Sequence, residues 1–171
     1  MRRVQIAEQF GGSSGGWGWQ DKPEVFFAQS GVGVVPVICY ETLWGEWIGE
    51  SVKNGAQFIA IITNDGWWGN TSGKDQHLLY AKLRAIETRR YVVRSANTGI
   101  SGFINQRGDI LAKSKWWTRT AMKADINLND ELTAYVKTGD VIAIVSCIIG
   151  VLLALLIPFY KMASFRKKAG A

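Results

Sequence analysis

Twenty consecutive residues without a charge, "VIAIVSCIIGVLLALLIPFY", run from Val141 to Tyr160. As a helix rising 1.5 Å per residue, such a run spans about 30 Å, the thickness of a bilayer's hydrocarbon core. The alternative is a core helix buried on all sides, which a domain left with only 140 preceding residues has little volume to enclose. The run therefore predicts a transmembrane helix over 139–160, bracketed by Asp140 and Lys161. Lys161, Arg166, Lys167 and Lys168 follow it, and a basic flank marks the cytoplasmic side. The expected topology puts the tail, 161–171, in the cytoplasm and the rest of the chain across the membrane.

The same tail explains most of the charge. The formal net charge is +6, and without those four cations it falls to +2. A basic face for nucleic acid is not indicated. Eight tryptophans suit a chain that works where apolar and wet surroundings meet. The two cysteines, Cys39 and Cys147, lack metal-ligand spacing, and their positions argue against pairing. No metal or cofactor is expected. The basic start "MRRVQIAEQF" lacks the apolar stretch of a signal peptide. A strand-like 2–10 runs directly into the Gly/Ser-rich "GGSSGGWGW", an opening that suggests the carboxyl-terminal part of something longer.

Residues 1–31 read as an irregular Gly/Ser/Trp-rich region. From 32 to 138 a layered α/β domain is expected. "GVVPVIC" (33–39) reads as a buried strand with Pro36 as its one awkward residue, and "ETLWGEWIGESVKNG" as a helix stopped at Gly55. "QFIAIIT" (57–63) and "YVVRSAN" (91–97) are further strands, separated by the loop "NDGWWGNTSG" and a helix over 75–90. A hairpin turning near Arg107–Asp109 follows, and "TAMKADINL" alternates like another strand.

Cys39 stands where the first buried strand stops and a helix is expected to start. A helix N-terminus favours a thiolate through its dipole and free amides. The amide of Tyr40 can face an oxyanion formed on a substrate carbonyl, and Glu41 can orient partners or steer a proton. The plain alternative is a small buried hydrophobe.

"PVICYE", "AIITNDGWWG", "QHLLYAKLRAIETRRYVVRSANTGISGFIN" and the terminal apolar helix, in that order, resemble the bacterial apolipoprotein N-acyltransferases, membrane-bound members of the carbon–nitrogen hydrolase (nitrilase) superfamily. The resemblance covers about 32–160. It implies the C-terminal portion of a nitrilase-like αββα sandwich followed by one transmembrane helix, in the bacterial inner membrane, with the α/β domain periplasmic. It implies a Glu–Lys–Cys catalytic set and a thioester intermediate. The acyl chain comes from a phospholipid and passes to the α-amino group of a diacylated apolipoprotein.

By this resemblance Cys39 is the nucleophile, Tyr40 the backbone oxyanion donor and Glu41 a supporting group. Asn64, Asp65 and Trp67 fall in the loop beside the site. His77, Arg84, Glu87, Arg90, Arg94 and Asn97 fall at polar framework positions. Local alternatives exist: Arg84 and Glu87 at i,i+3 can simply pair on a helix face, and Asn97 can serve only the turn before Gly99. The family's glutamate base and lysine lie upstream of its cysteine. Here only Lys22, Glu8 and Glu24 stand in that direction, in unmatched surroundings. A fragment lacking its upstream half and inactive alone is therefore expected. The rival readings are a membrane-tethered nitrilase-type amidase, with water as acceptor, and a non-catalytic remnant.

Overall fold

The computed structural model describes residues 20–169. The strand-like start at 2–10 and the Gly/Ser-rich loop at 11–18 lie outside the described residues. Six strands form one sheet in chain order: β1 (Phe26–Phe27), β2 (Gly33–Ile38), β3 (Phe58–Asn64), β4 (Tyr91–Asn97), β5 (Gly102–Ile104) and β6 (Ile110–Lys113). β2, β3 and β4 are parallel, and β1, β5 and β6 are antiparallel to their neighbours. The parallel strands are joined by α1 (Gly45–Lys53) and α2 (Ser72–Thr88), and α3 (Ala134–Thr138) follows later. The expected α/β class and the hairpin after β4 are both present.

Alternation along the strands divides the sheet into two faces. Val35, Val37, Ile59, Ile61 and Val92 are fully buried against Ile48 and Val52 of α1, Leu78, Ala81 and Ala85 of α2, and Val136 of α3. The other face carries Pro36, Ile38, Ala60, Ile62 and Val93. There Ile38 is 61% exposed and Ile62 60%. Among the described residues, helices cover one face only.

Pro36 fits because of how β2 is flanked. The Gly33 carbonyl accepts from Gln57 on the β3 side. Backbone groups alternate in direction along a strand, so Pro36 turns its missing N–H away from β3. On that side β1 reaches only Gly33 and Val34, and Pro36 breaks no ladder bond.

Three expectations change. β1 falls inside the segment read as irregular, because Phe26–Phe27 fold back on Gly33–Val34 through a turn that Gly31 closes at φ 83°. "TAMKADINL" is not a strand: among the described residues it pairs with no neighbour, and an alternating segment without a ladder partner stays coil. The helix expected from Glu41 onward is two pieces, a 3₁₀ turn over Cys39–Leu43 and then α1 from Gly45.

α4 (Val141–Ala169) is the long apolar helix. Its stretch Val141–Pro158, 18 residues with a mean hydropathy of 3.0, is long and apolar enough to cross a membrane, and none of it is buried against the domain. It continues as helix beyond Tyr160, into the basic segment.

Candidate active site

The carboxyl ends of β2, β3 and β4 lie at one rim of the sheet, where open α/β sheets place their ligand sites. Ile38 pairs with Ile62, and Asn64 with Asn97, so Cys39, Asp65 and Thr98 leave the sheet side by side. Cys39 takes φ 51°, a left-handed conformation that costs a residue with a side chain. The chain thereby reverses sharply out of β2, and the half-buried thiol stands at the crest of the turn. The thiol is not at an α-helix N-terminus. The turn that Cys39 opens is a single 3₁₀ turn, which sums few peptide dipoles, so the macrodipole argument for the thiolate loses most of its weight.

Neighbouring side chains hold this turn. The Glu41 carboxylate folds back to accept the Ile38 amide at 2.7 Å. That amide points to the open side of β2, like Pro36, and among the described residues has no strand partner there. The Thr42 hydroxyl donates to the Cys39 carbonyl. Tyr40, half exposed, lays its ring over His77 with centroids 5.8 Å apart and planes at 24°, and also meets Trp68. The Tyr40 amide lies in the first turn, where an N–H has no helical acceptor.

Beneath the turn is a buried polar cluster. Asp65, 0% exposed, accepts from Arg94 Nη2 at 2.9 Å, from His77 Nδ1 at 2.8 Å and from the Thr63 hydroxyl at 3.0 Å. Burial alone would raise the Asp65 pKa, but the His77 hydrogen bond and the Arg94 guanidinium outweigh it and hold it at about 2. His77 Nε2 lies 3.1 Å from the Cys39 carbonyl oxygen. Arg94 also donates to the Ile100 carbonyl at 2.7 Å. Gly99 allows the close packing here, since a Cβ on it would meet Asp65 Oδ2 at 2.6 Å.

The other residues read from the sequence divide into three groups. Asn64 accepts from the Gly66 amide and the Thr98 hydroxyl, capping the short turn after β3. Asn97 is exposed beside it, and Trp67 stands out into solvent at 79%. Arg84 and Glu87 pair at 3.1 Å as their spacing suggested, but inside the protein rather than on a wet helix face. Arg84 donates to the Leu43 carbonyl, tying down the far end of the Cys39 turn. Burial raises the Glu87 pKa, Arg84 lowers it and Asp140 raises it again. Both face a cleft of about 1020 Å³ lined also by Trp44, Tyr135 and Ile144 of α4, which Glu41 borders but Cys39 does not. Arg90 is structural in its contacts, donating to the carbonyls of Ala56, Thr88 and Glu131. Thr42 and Thr63 were not singled out from the sequence. Thr42 could have been, since it follows the cysteine at the spacing that lets a hydroxyl reach back one turn.

Residues 5–134 match the family model described as carbon–nitrogen hydrolase. Relatives named apolipoprotein N-acyltransferase include one from Bradyrhizobium diazoefficiens, 40% identical over 121 residues, covering 70% of this chain and 22% of that protein. One from Chlorobaculum tepidum is 38% identical over 106 residues, covering 62% and 20%. One from Ralstonia nicotianae is 34% identical over 145 residues, covering 83% and 26%. The chain thus spans a fifth to a quarter of the length of these relatives. Among solved structures, that of a Saccharomyces cerevisiae protein from branch 10 of the nitrilase superfamily superposes on 58% of this chain and 39% of its own, with TM-score 0.47 and 22% identity. With its family model matching from ahead of β1 to the start of α3, the chain belongs to the carbon–nitrogen hydrolase family.

Proposed function

We propose that the chain is the carboxyl-terminal part of a lipoprotein N-acyltransferase, with Cys39 as its nucleophile. The supporting observation is the Cys39 turn itself: a thiol on a left-handed residue at the carboxyl rim of a parallel sheet, with its carbonyl held from below. That strain fits a residue presented for chemistry better than one used for packing.

The reaction has two halves. The Cys39 thiolate attacks the ester carbonyl of a phospholipid. The tetrahedral oxyanion faces the Tyr40 amide and collapses, the C–O bond to the glycerol oxygen breaks, and that oxygen leaves with a proton as lysophospholipid. The α-amino group of a diacylated apolipoprotein then attacks the thioester. Its C–S bond breaks, Cys39 regains the thiolate, and the amine gives up a proton as the amide forms. In this reading α4 anchors the domain in the bilayer beside its lipid donor, the α/β domain is periplasmic, and the C-terminus is cytoplasmic. Asn64, Asp65, His77, Arg94 and Asn97 hold the rim, while Arg84 and Glu87 brace the turn from the α4 side.

The glutamate base and the lysine of the catalytic set belong to sequence preceding this segment, which also supplies the layer over the bare face of the sheet. That face, and the fraction of the relatives' length that the chain spans, support the reading.

The test uses a complete protein containing this segment, reconstituted with phospholipid and a diacylated lipopeptide. Intact mass should show an acyl adduct on the wild type and none on Cys39→Ala, with N-acylation lost. An acyl adduct on Cys39→Ala overturns the assignment. Residues 1–171 alone should not turn over, because a general base contributes about 10²–10⁴-fold and cannot be spared.

A further inference from the structure

β6 brings the chain back to the carboxyl rim of the sheet. Its last residue, Lys113, pairs with Gly102, which pairs with Arg94 of β4. Ser114 then donates its amide to the Ser101 carbonyl at 2.8 Å. Lys115, Trp116 and Trp117 therefore emerge at the rim that carries Cys39. A Cβ on Gly66, in the turn after β3, would meet Trp117 Cη2 at 3.5 Å.

The two tryptophans differ. Trp116 is half-buried against the core, with Lys74 Nζ 5.7 Å from its ring centroid. Trp117, 5.5 Å away between centroids, is 60% exposed and takes φ 57°. A bulky side chain adopts that left-handed conformation only at a cost. An indole is thus held outward against its own backbone preference. Trp67 and Tyr40, also exposed, stand on the same rim.

The charge here is one-sided. Between Asp109 and Asp125 the chain has four cations and no acid. Lys113, Lys115 and Arg119 are exposed, and among the described residues none of the three forms an ion pair. The acids of the rim turns are engaged elsewhere: Asp65 with Arg94, Glu41 with the Ile38 amide, and Asp75 with Lys74 at 2.8 Å. α4 also leaves from this end, since Ala143 and Ile144 of its first turn line the cleft with Glu41 and Trp44. A helix that enters a bilayer there brings the rim to the bilayer surface.

We propose that segment 113–119 is a second membrane contact: Trp117 seats among the headgroups of an anionic phospholipid bilayer, and Lys113, Lys115 and Arg119 meet the lipid phosphates. Indoles settle at the interface between hydrocarbon and water, and neighbouring cations add attraction to anionic lipid. Three cations along an irregular stretch offer no fixed geometry to a folded partner, whereas a lipid surface asks for none. With α4, this contact fixes how the rim is tilted and keeps the Cys39 turn at headgroup level. The inference rests on α4 spanning a membrane, and not on Cys39 being the nucleophile.

The experiment uses the full 171-residue chain in nanodiscs. The background is Cys39→Gly, which suits the left-handed turn, with Cys147→Ser. A fluorophore is attached at Thr118→Cys or, where α1 ends at the opposite rim, at Lys53→Cys. The discs hold phosphatidylcholine with or without phosphatidylglycerol, plus a lipid bearing a quencher on its headgroup. In anionic discs, quenching at 118 should be several-fold stronger than at 53. One cation at an anionic surface shifts such a contact by roughly fivefold, so three shift it on the order of a hundredfold. The combined change Lys113→Glu, Lys115→Glu and Arg119→Glu should therefore bring quenching at 118 down to the level at 53. Omitting phosphatidylglycerol should do the same with segment 113–117 unaltered. Equal quenching at 118 and 53 in anionic discs overturns the proposal and leaves the surface to a protein partner. Strong quenching at 118 that ignores lipid charge also overturns it, because α4 alone then sets the distance. An unseated segment beside an acyl adduct on Cys39 in a longer protein sinks this inference alone. A seated segment with a dispensable Cys39 sinks the acyltransferase reading and leaves the membrane contact standing.

Discussion

Glu41 closes a ring on Ile38: its Oε2 accepts the Ile38 amide at 2.7 Å, three residues back, across the base of the Cys39 turn. The carboxylate thus ends β2 and sets the turn at the same time. Glu41→Ala should lower stability by about 1 kcal/mol, and Glu41→Gln, which keeps an acceptor, by less. Thermal melts of the two variants side by side check the order. Equal losses would mean that the charge, and not the hydrogen bond, is what matters.

Cys39 offers a contrast between two thiol-free variants. Glycine accepts φ near 51° without cost, and alanine does not. Cys39→Gly should therefore be more stable than Cys39→Ala by about 1 kcal/mol, although a more flexible unfolded chain works against it. Denaturant midpoints measure the difference. A less stable glycine variant would argue that the residue is not held in the left-handed region.

Asp65 gives the fold an acid limit. Its pKa in the fold, about 2, lies below the ordinary 3.8. The contribution is complete above the ordinary value and is lost as pH falls through the folded one. The drop amounts to about 2 kcal/mol between roughly pH 4 and pH 2. Asp65→Asn should flatten that window while costing about 3–5 kcal/mol at neutral pH, because the buried Arg94 loses its counter-charge. Urea titrations at a series of pH values report both effects.

Gly99 tests the packing over the cluster. A methyl group there would stand 2.6 Å from Asp65 Oδ2 and 2.7 Å from Ala96 Cβ. Gly99→Ala should cost about 1–3 kcal/mol and move the His77 imidazole signals, since the carboxylate has to shift. A variant of unchanged stability would show that the loop after β4 yields freely.

Ile62 tests the proposed second layer over the bare face of the sheet. At 60% exposure it packs little here, so Ile62→Lys should change stability by less than about 0.5 kcal/mol. It should also raise the fraction that stays monomeric in light scattering, by breaking an exposed apolar patch. In a longer protein of the proposed kind the same change should destabilise, because the proposed second layer buries the site. Equal tolerance in both settings would count against that layer.

Much of this was legible from pattern. Val35, Val37, Ile59, Ile61 and Val92 announce buried strands, and the run after Asp140 announces an apolar helix. The position of Cys39 at a strand end was legible too. The form of its turn was not. A left-handed cysteine and a 3₁₀ turn leave no periodic trace, and Glu41 through Lys53 has helical spacing whether or not the helix pauses at Trp44. The Arg94–Asp65–His77 cluster joins three elements over separations of 12 and 29 residues. Sequence offers the residue types there, but parallel register makes the contact. "TAMKADINL" failed the other way, because its alternation was real and yet, among the described residues, it pairs with no strand.

The bare face of the sheet also has relief. Pro36, Ala60 and Val93 lie in one register row, and Pro36 and Ala60 are short. Val34, Phe58 and Tyr91 form the row on one side, and Ile38, Ile62 and Ser95 the row on the other. Over β3 the surface therefore dips at Ala60 between Phe58 on one side and Ile62 on the other. Sheets stack about 10 Å apart with their side chains interleaved. A layer that seats here has to set its largest side chains over Ala60 and its smallest over Ile62, and a slip by one residue would turn its filling side chains away from the dip altogether.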